Sequence, residues 1–213
     1  MTDALTADLM LRAYGSGIFP MAEGRSDPRV HWVDPTRRGI MPLNNFHISR
    51  SLAKAMRSPK ISATFDKDFG AVLAACADRD ETWINEPIHD AYMTLHDQGF
   101  AHSLEIREDG NLVGGIFGVA LGSAFFGESM YSHRRDASKM ALAWLVDRLR
   151  QTGFQLFDTQ FITPHLKTLG GIEINRSDYL ERLALALETD ADIAATVSLA
   201  SAQDVIQRNT QTS

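Results

Sequence analysis

The sequence predicts an α+β fold, with a small N-terminal subdomain ahead of a larger domain built on an antiparallel-dominated mixed sheet. Three observations carry this. The first 45 or so residues are broken by Pro20, Gly24, Pro28, Pro35, Gly39 and Pro42, too closely for long elements. In the middle of the chain, alternating strand-like runs flank the hairpin signal Asp109-Gly110. Beyond residue 137, helix-period and strand-period segments take turns.

The elements follow in order. A short apolar-periodic helix over residues 5–14 stops at Gly15 and Gly17. After the turn-rich run come helices over 49–57, 67–77 and 85–98, the last with Asn85 as N-cap and Gly99 as its stop. Residues 102–107, 112–121 and 124–132 read as strands, and 137–151 as a helix ending before Gly153. Residues 154–160 form an apolar strand, Thr163-Pro164 opens a short helix, and 172–175 is a last strand before a helix over 178–187. The tail from Thr189 is rich in Ala, Ser, Thr and Gln and reads as a weak helix or as disordered at its end. The domains expected are therefore 1–45, 46–188 and a tail, 189–213.

Composition bounds the function. The chain has 213 residues, 44% hydrophobic and 23% charged, enough to bury a full core. No run approaches the roughly 18 apolar residues of a membrane span, and Met1-Thr2-Asp3-Ala4 lacks a secretory pattern. A single cysteine, Cys76, on the apolar face of its helix, allows neither an internal disulfide nor a thiolate metal cluster. The histidines show no spaced ligand set, so no metal is expected. These features read as a cytoplasmic protein. The net charge of -6 argues against indiscriminate nucleic-acid binding, yet residues 25–60 carry eight cations against two acids. Arg50, Lys54 and Arg57 fall on one helix face, with Lys60 just beyond, as a solvated face or a local polyanion footprint would have them.

The chemistry-bearing constellation is Gly127-Glu128-Ser129-Met130-Tyr131-Ser132 together with Phe157-Asp158-Thr159-Gln160. Both segments read as strand ends, and strand periodicity puts Asp158 and Gln160 on one face. A carboxylate on one strand, with a carboxylate and a carboxamide on the next, suits a buried site that holds an amine and a carbonyl together. No Ser-His-Asp ordering suggests a triad, and Ser138 and Lys139 start the following helix.

The order of elements resembles the fold of acetyl-coenzyme A dependent N-acetyltransferases. Those enzymes seat the cofactor pyrophosphate on a Gly-rich turn at a helix N-terminus. The corresponding turn here, Ser132-His133-Arg134-Arg135-Asp136-Ala137-Ser138-Lys139, has no glycine, so coenzyme A is not expected as donor.

Six ordered segments carry a more specific likeness: residues 11–21, 46–52, 99–105, 127–132, 137–139 and 158–160. Together they closely resemble the leucyl/phenylalanyl-tRNA–protein transferase family, in order from about Leu11 to about Leu180. The resemblance implies a bacterial enzyme that moves Leu or Phe, with Met as a further donor, from aminoacyl-tRNA to proteins beginning with Arg or Lys, marking them for N-end-rule degradation. The donor ester is already activated, so no cofactor, metal or enzyme nucleophile is needed. It further implies Asp158, Gln160 and Glu128 as catalytic-site residues. Asp158 would accept a hydrogen bond or proton from the amine, Gln160 would align amine or carbonyl, and Glu128 would orient Gln160 or attract the acceptor's basic side chain. An apolar aminoacyl pocket would draw on Ile116, Phe125, Met130, Leu142, Leu145, Leu149 and Phe157, although such a stripe also suits plain core. Trp32 and Trp83 match family tryptophans that resemble walls for the terminal adenosine, where this chain reads His31-Trp32 in place of paired tryptophans. Arg50, Lys54, Arg57 and Lys60 would contact acceptor-stem phosphates, and Lys139 would lie near phosphate. An acyltransferase of other specificity and a non-catalytic tRNA-binding module remain the alternatives.

Overall fold

The computed structural model describes residues 5–195 and 198–211. Its elements in chain order are α1 (Ala7–Gly15), β1 (Phe19–Met21), β2 (His31–Val33), β3 (Arg37–Ile40), α2 (Arg50–Met56), β4 (Ile61–Phe65), α3 (Phe69–Ala77), α4 (Glu86–Asp97), β5 (Ala101–Glu108), β6 (Asn111–Leu121), β7 (Ala124–Ser132), α5 (Ala137–Gln151), β8 (Leu156–Gln160), α6 (Pro164–Thr168), β9 (Ile172–Asn175), α7 (Arg176–Leu187) and α8 (Ala202–Thr210). Seven strands form one sheet in the order β4-β5-β6-β7-β8-β3-β9, while β1 and β2 form a separate hairpin. Every pairing is antiparallel except β7 with β8. The mixed α+β architecture expected from the sequence is what the chain adopts.

Strand alternation splits the core in two, because neighbouring side chains point to opposite sheet faces. On one face, Phe117, Val119, Phe126 and Leu156 meet α1, α3, α4 and α7. On the other, Leu104, Ile106, Ile116, Phe125 and Phe157 meet α2, α5, α6 and α8. The helix α5 fills the crossover between parallel β7 and β8 and buries eleven of its side chains, the charged Asp147 and Arg148 among them.

Several elements differ from expectation. The turn-rich N-terminal run hides three short strands, and one of them, β3, inserts between β8 and β9 of the main sheet. Gly39 makes this possible: a Cβ there would stand 2.6 Å from the Phe161 carbonyl carbon. Strand β4 is a further difference: residues 61–65, Ile-Ser-Ala-Thr-Phe, alternate apolar and polar between Pro59 and Asp66, a strand signal the reading above does not use, and they pair along β5 from Ile61↔Glu108 to Phe65↔Leu104. The tail forms α8 and is tied to the domain. Arg208 donates to both oxygens of Asp147 at 2.8 and 2.7 Å, and Asn209 Nδ2 donates to the Phe46 carbonyl at 2.8 Å. Ser201 caps α8 by accepting from the Asp204 amide. None of the described helices is long and apolar enough to cross a membrane.

Candidate active site

The site lies where the parallel strands part. β7 and β8 pair from Ala124↔Leu156 to Phe126↔Asp158 and no further. At the point of separation β7 carries a bulge: Gly118 opposes Gly127 and Phe117 opposes Ser129, so Glu128 is the extra residue, turned out of the ladder. β8 ends at the same level with Gln160 at φ 54°, a left-handed conformation uncommon outside glycine. Two breaks in strand regularity thus face each other across the opening.

Asp158 holds the second break in place. Its Oδ1 accepts from Arg38 Nε at 2.9 Å and from the Gln160 amide at 2.8 Å, and its Oδ2 accepts from Arg38 Nη2 at 2.6 Å and Tyr179 Oη at 2.8 Å. The carboxylate is fully buried. Arg38 also donates to the Gly17 carbonyl at 2.8 Å and lies against the rings of Phe19 and Tyr179. Burial works against the Arg38 charge, and the Asp158 hydrogen bonds more than offset it. The sequence reading has Asp158 meeting the amine, and the structure surrounds its carboxylate with protein donors. The left-handed Gln160 breaks the period-2 rule, Asp158 lies beneath the opening, and four donors occupy its oxygens.

Glu128 and Gln160 do meet. Gln160 Nε2 donates to Glu128 Oε1 at 3.1 Å, and Tyr92 Oη donates to Glu128 Oε2 at 2.7 Å. The Tyr14 hydroxyl continues the chain, 2.8 Å from that of Tyr92. With Glu128 ionised, the Gln160 amide presents its N–H to it, since a carboxylate only accepts. The amide Oε1 has no donor among the described residues, and Gln160 lines both cavities at the opening. Desolvation, with the Asp158 charge adding to it, pushes the Glu128 carboxyl up to about 7, against the lowering effect of the tyrosine hydrogen bonds and Arg38. Desolvation likewise raises both tyrosines, so they stay protonated donors.

Beside this pair opens a pocket of about 310 Å³. Its floor is Ile116, Met130, Leu142, Phe157 and Leu166, and its rim includes Glu128, Gln160, Thr163, Trp83 and Arg79. Four of the seven apolar residues expected there, Ile116, Met130, Leu142 and Phe157, line it. Phe125, Leu145 and Leu149 do not: they are core behind the floor, with Phe125 edge-on to Phe157 at 5.6 Å. Gly127 fixes the floor, because a Cβ there would stand 2.6 Å from the Phe157 ring.

The residues expected to meet tRNA are more scattered. Trp83 borders the pocket and also a smaller one of about 70 Å³ lined by Phe19, Pro20, Met21, Glu128, Gln160 and Phe161. Trp32 is 38% exposed on β2 opposite Pro20 and lines neither. Arg50, Lys54, Arg57 and Lys60 are exposed on α2 and the turn after it. Of these, Arg57 donates to Gln203 at 3.0 Å and Lys60 pairs with Asp109 at 3.4 Å. Lys139 pairs with Asp136 at 2.8 Å.

Sequence reading missed Arg38, Tyr14, Tyr92, Tyr179, Arg79, Phe161 and Leu166. Tyr14 sits inside a motif that was recognised, but its partner Tyr92 lies 78 residues away, and Arg38 meets Asp158 across 120 residues. Only a buried acid in an apolar strand, which demands a cation, signalled such a partner.

A parted sheet with a carboxyl–carboxamide pair over an apolar pocket is an arrangement able to hold an amine and a carbonyl together, as an acyltransferase must. Residues 40–184 match the leucyl/phenylalanyl-tRNA protein transferase family, and residues 3–36 match that family's N-terminal domain. The chain belongs to this family of aminoacyltransferases. A leucyl/phenylalanyl-tRNA–protein transferase from Cereibacter sphaeroides is 60% identical over 210 residues, covering 99% of this chain and 98% of the relative. Among solved structures, FemX aligns over 79% of this chain and 66% of its own at 11% identity and TM-score 0.50, a likeness of fold. A GCN5-related N-acetyltransferase from Kribbella flavida aligns over 66% and 57% at 13% identity and TM-score 0.41.

Proposed function

We propose that the protein transfers Leu or Phe, with Met as a further donor, from aminoacyl-tRNA to the α-amine of proteins beginning with Arg or Lys. The products then enter N-end-rule degradation in the cytoplasm. The observation that carries this reading is the Glu128–Gln160 pair at the rim of an apolar pocket sized for a Leu or Phe side chain.

The amine nitrogen attacks the ester carbonyl carbon, the C–N bond forms and the bond to the ribose oxygen breaks. That oxygen takes the proton the amine gives up. With the donor side chain in the pocket, the Gln160 Oε1 accepts from the incoming amine and aligns its lone pair. Asp158 acts through the Gln160 backbone, holding the left-handed turn that aims the amide. Glu128 holds the far end of the amide and offers negative charge to a cationic acceptor. Side chains branched at Cβ would clash near their Cβ as they enter the pocket past the Glu128–Gln160 rim. Because one methylene is worth about 1 to 3 kcal/mol in an apolar site, discrimination is graded. Trp83 and Trp32 supply stacking surface for the terminal adenosine, and Arg50, Lys54, Arg57, Lys60 and Lys139 supply charge for phosphates.

The test is transfer of radiolabelled Leu from Leu-tRNA to a peptide beginning with Arg, with an Ala-initiated peptide as control. Transfer to the Arg peptide alone, abolished in Gln160→Ala while tRNA binding persists, is the expected result. A wild type that binds the aminoacyl-tRNA and transfers nothing would leave a tRNA-binding module as the better account.

A further inference from the structure

β7 has an open edge beside the site. Past Phe126 it has no strand partner on the β8 side among the described residues, although it runs on to Ser132. The register with β6 tells which peptide groups point into the gap. The His133 amide donates to the Val113 carbonyl, and antiparallel pairs alternate between bonded and non-bonded. Counting back, Tyr131 and Ser129 face β6, whereas Ser132 and Met130 turn their N–H and C=O groups to the open side. The Arg79 guanidinium already donates to the Met130 carbonyl, so that oxygen accepts from outside the sheet.

Two cavities follow this edge. The pocket described above includes Gly127, Glu128, Ser129 and Met130. A second, of about 410 Å³, continues past Met130, Tyr131, Ser132 and His133, and Arg79 and Met130 border both. Open space therefore flanks β7 on both sides of Met130, with Arg79 between the two cavities.

We propose that the acceptor polypeptide binds here as an added strand, its first residues running along β7 from Glu128 to Ser132 with the α-amine at Gln160. This rests on the transferase reading of the site and names how its second substrate is held. The edge offers alternating donors and acceptors, which a peptide main chain matches and a nucleotide chain, with no backbone N–H, does not. Direction agrees as well. An amine at the Glu128 end means that the acceptor runs parallel to β7, in the place β8 leaves after Asp158. The donor's apolar side chain lies on the α5 face of the sheet, so both substrates fit at once. From Glu128 to Ser132 is about 13 Å at strand rise, room for about four acceptor residues. Main-chain recognition also accommodates acceptors of any sequence beyond the first residue.

The test uses wild-type enzyme, Leu-tRNA and acceptors from arginyl amide up to an Arg-initiated hexapeptide, with single amide N–H groups replaced by ester oxygen. KM should fall with length and level off at about four residues. Ester replacement should raise KM about two- to ten-fold at alternate positions within the first four residues, those whose N–H faces β7, with kcat little changed, and replacement at the intervening positions or at the fifth or sixth should do little. Transfer that proceeds equally well from arginyl amide and the hexapeptide, or that ignores ester replacement at every position, overturns the proposal and leaves the transferase reading standing. Failure of every acceptor, arginyl amide included, overturns that reading and the strand proposal with it.

Discussion

Arg38 and Asp158 form a fully buried, doubly hydrogen-bonded ion pair across 120 residues, joining β3 to β8 directly beneath the parted strands. The Arg38 side chain is 2% exposed and that of Asp158 is wholly buried. The pair fixes the Gln160 turn and also brings a segment of the N-terminal 45 residues into the main sheet.

Removing one partner leaves a charge in the interior, which costs far more than the pair contributes. Arg38→Met should lower unfolding free energy by about 3–5 kcal/mol in urea titration. Arg38→Met combined with Asp158→Asn should recover part of that loss, since no net buried charge remains. A double variant no more stable than the single one would show that lost packing against Phe19 and Tyr179, rather than the stranded carboxylate, dominates. Asp158→Asn by itself strands Arg38, so its transfer activity is informative only beside its melting temperature.

The second prediction concerns Glu128, whose carboxyl sits at about 7 in the folded chain against an ordinary 4.5. Between those values the unfolded chain has lost a proton that the folded chain keeps, so stability falls as pH rises through this window. Glu128→Gln removes the titration. Its melting temperature should gain on the wild type from pH 4.5 to 8, and wild-type transfer should climb through pH 7 in a step that the variant lacks. A stability difference between the two that stays flat with pH would mean that Glu128 titrates normally and is not desolvated.

How far the sequence reveals this site depends on how far apart its parts lie. That Glu128, Asp158 and Gln160 lie close together was legible, because each falls in a short polar interruption of an apolar strand. Their contacts were not. The strand rule that put Asp158 and Gln160 on one face fails because Gln160 is left-handed, and that conformation is held by its amide reaching back to Asp158. Local pattern likewise found α5 but could not tell which of its leucines meet the pocket: Leu142 does, while Leu145 and Leu149 turn to core. β3, Arg-Arg-Gly-Ile, is a short strand without alternation whose partners β8 and β9 lie far along the chain, so tertiary context decides it, whereas β4 carries an alternation that local pattern alone could have found.

The third prediction concerns the exposed cations. Among the described residues, Arg50 and Lys54 on α2 face no acid within ion-pair distance, whereas Arg57 and Lys60 are engaged by Gln203 and Asp109. Arg50→Gln with Lys54→Gln should therefore reduce the slope of log affinity for aminoacyl-tRNA against log salt by about 2, near 0.9 for each duplex phosphate no longer neutralised. Catalysis at saturating tRNA should hold. An unchanged slope would place the tRNA body elsewhere and return this face to simple solvation.

The last prediction tests the pocket through its tightest point. Gly127 lets β7 approach the Phe157 ring so closely that an added Cβ would stand 2.6 Å from Cε2. Backbone on one side and Phe125 behind the ring at 5.6 Å leave the ring little freedom to retreat. In Gly127→Ala the ring must therefore swing toward the open side, into the cavity that would take the donor. Overpacking of this kind typically costs about 1 to 3 kcal/mol. The larger donor should suffer more, so kcat/KM for Phe-tRNA should fall about ten-fold further than for Leu-tRNA, a difference of about 1.4 kcal/mol and so within that range, with the Arg-initiated acceptor bound as before. Equal losses for both donors would place the aminoacyl side chain away from the Phe157 floor, and the pocket would then be core that happens to open beside the site.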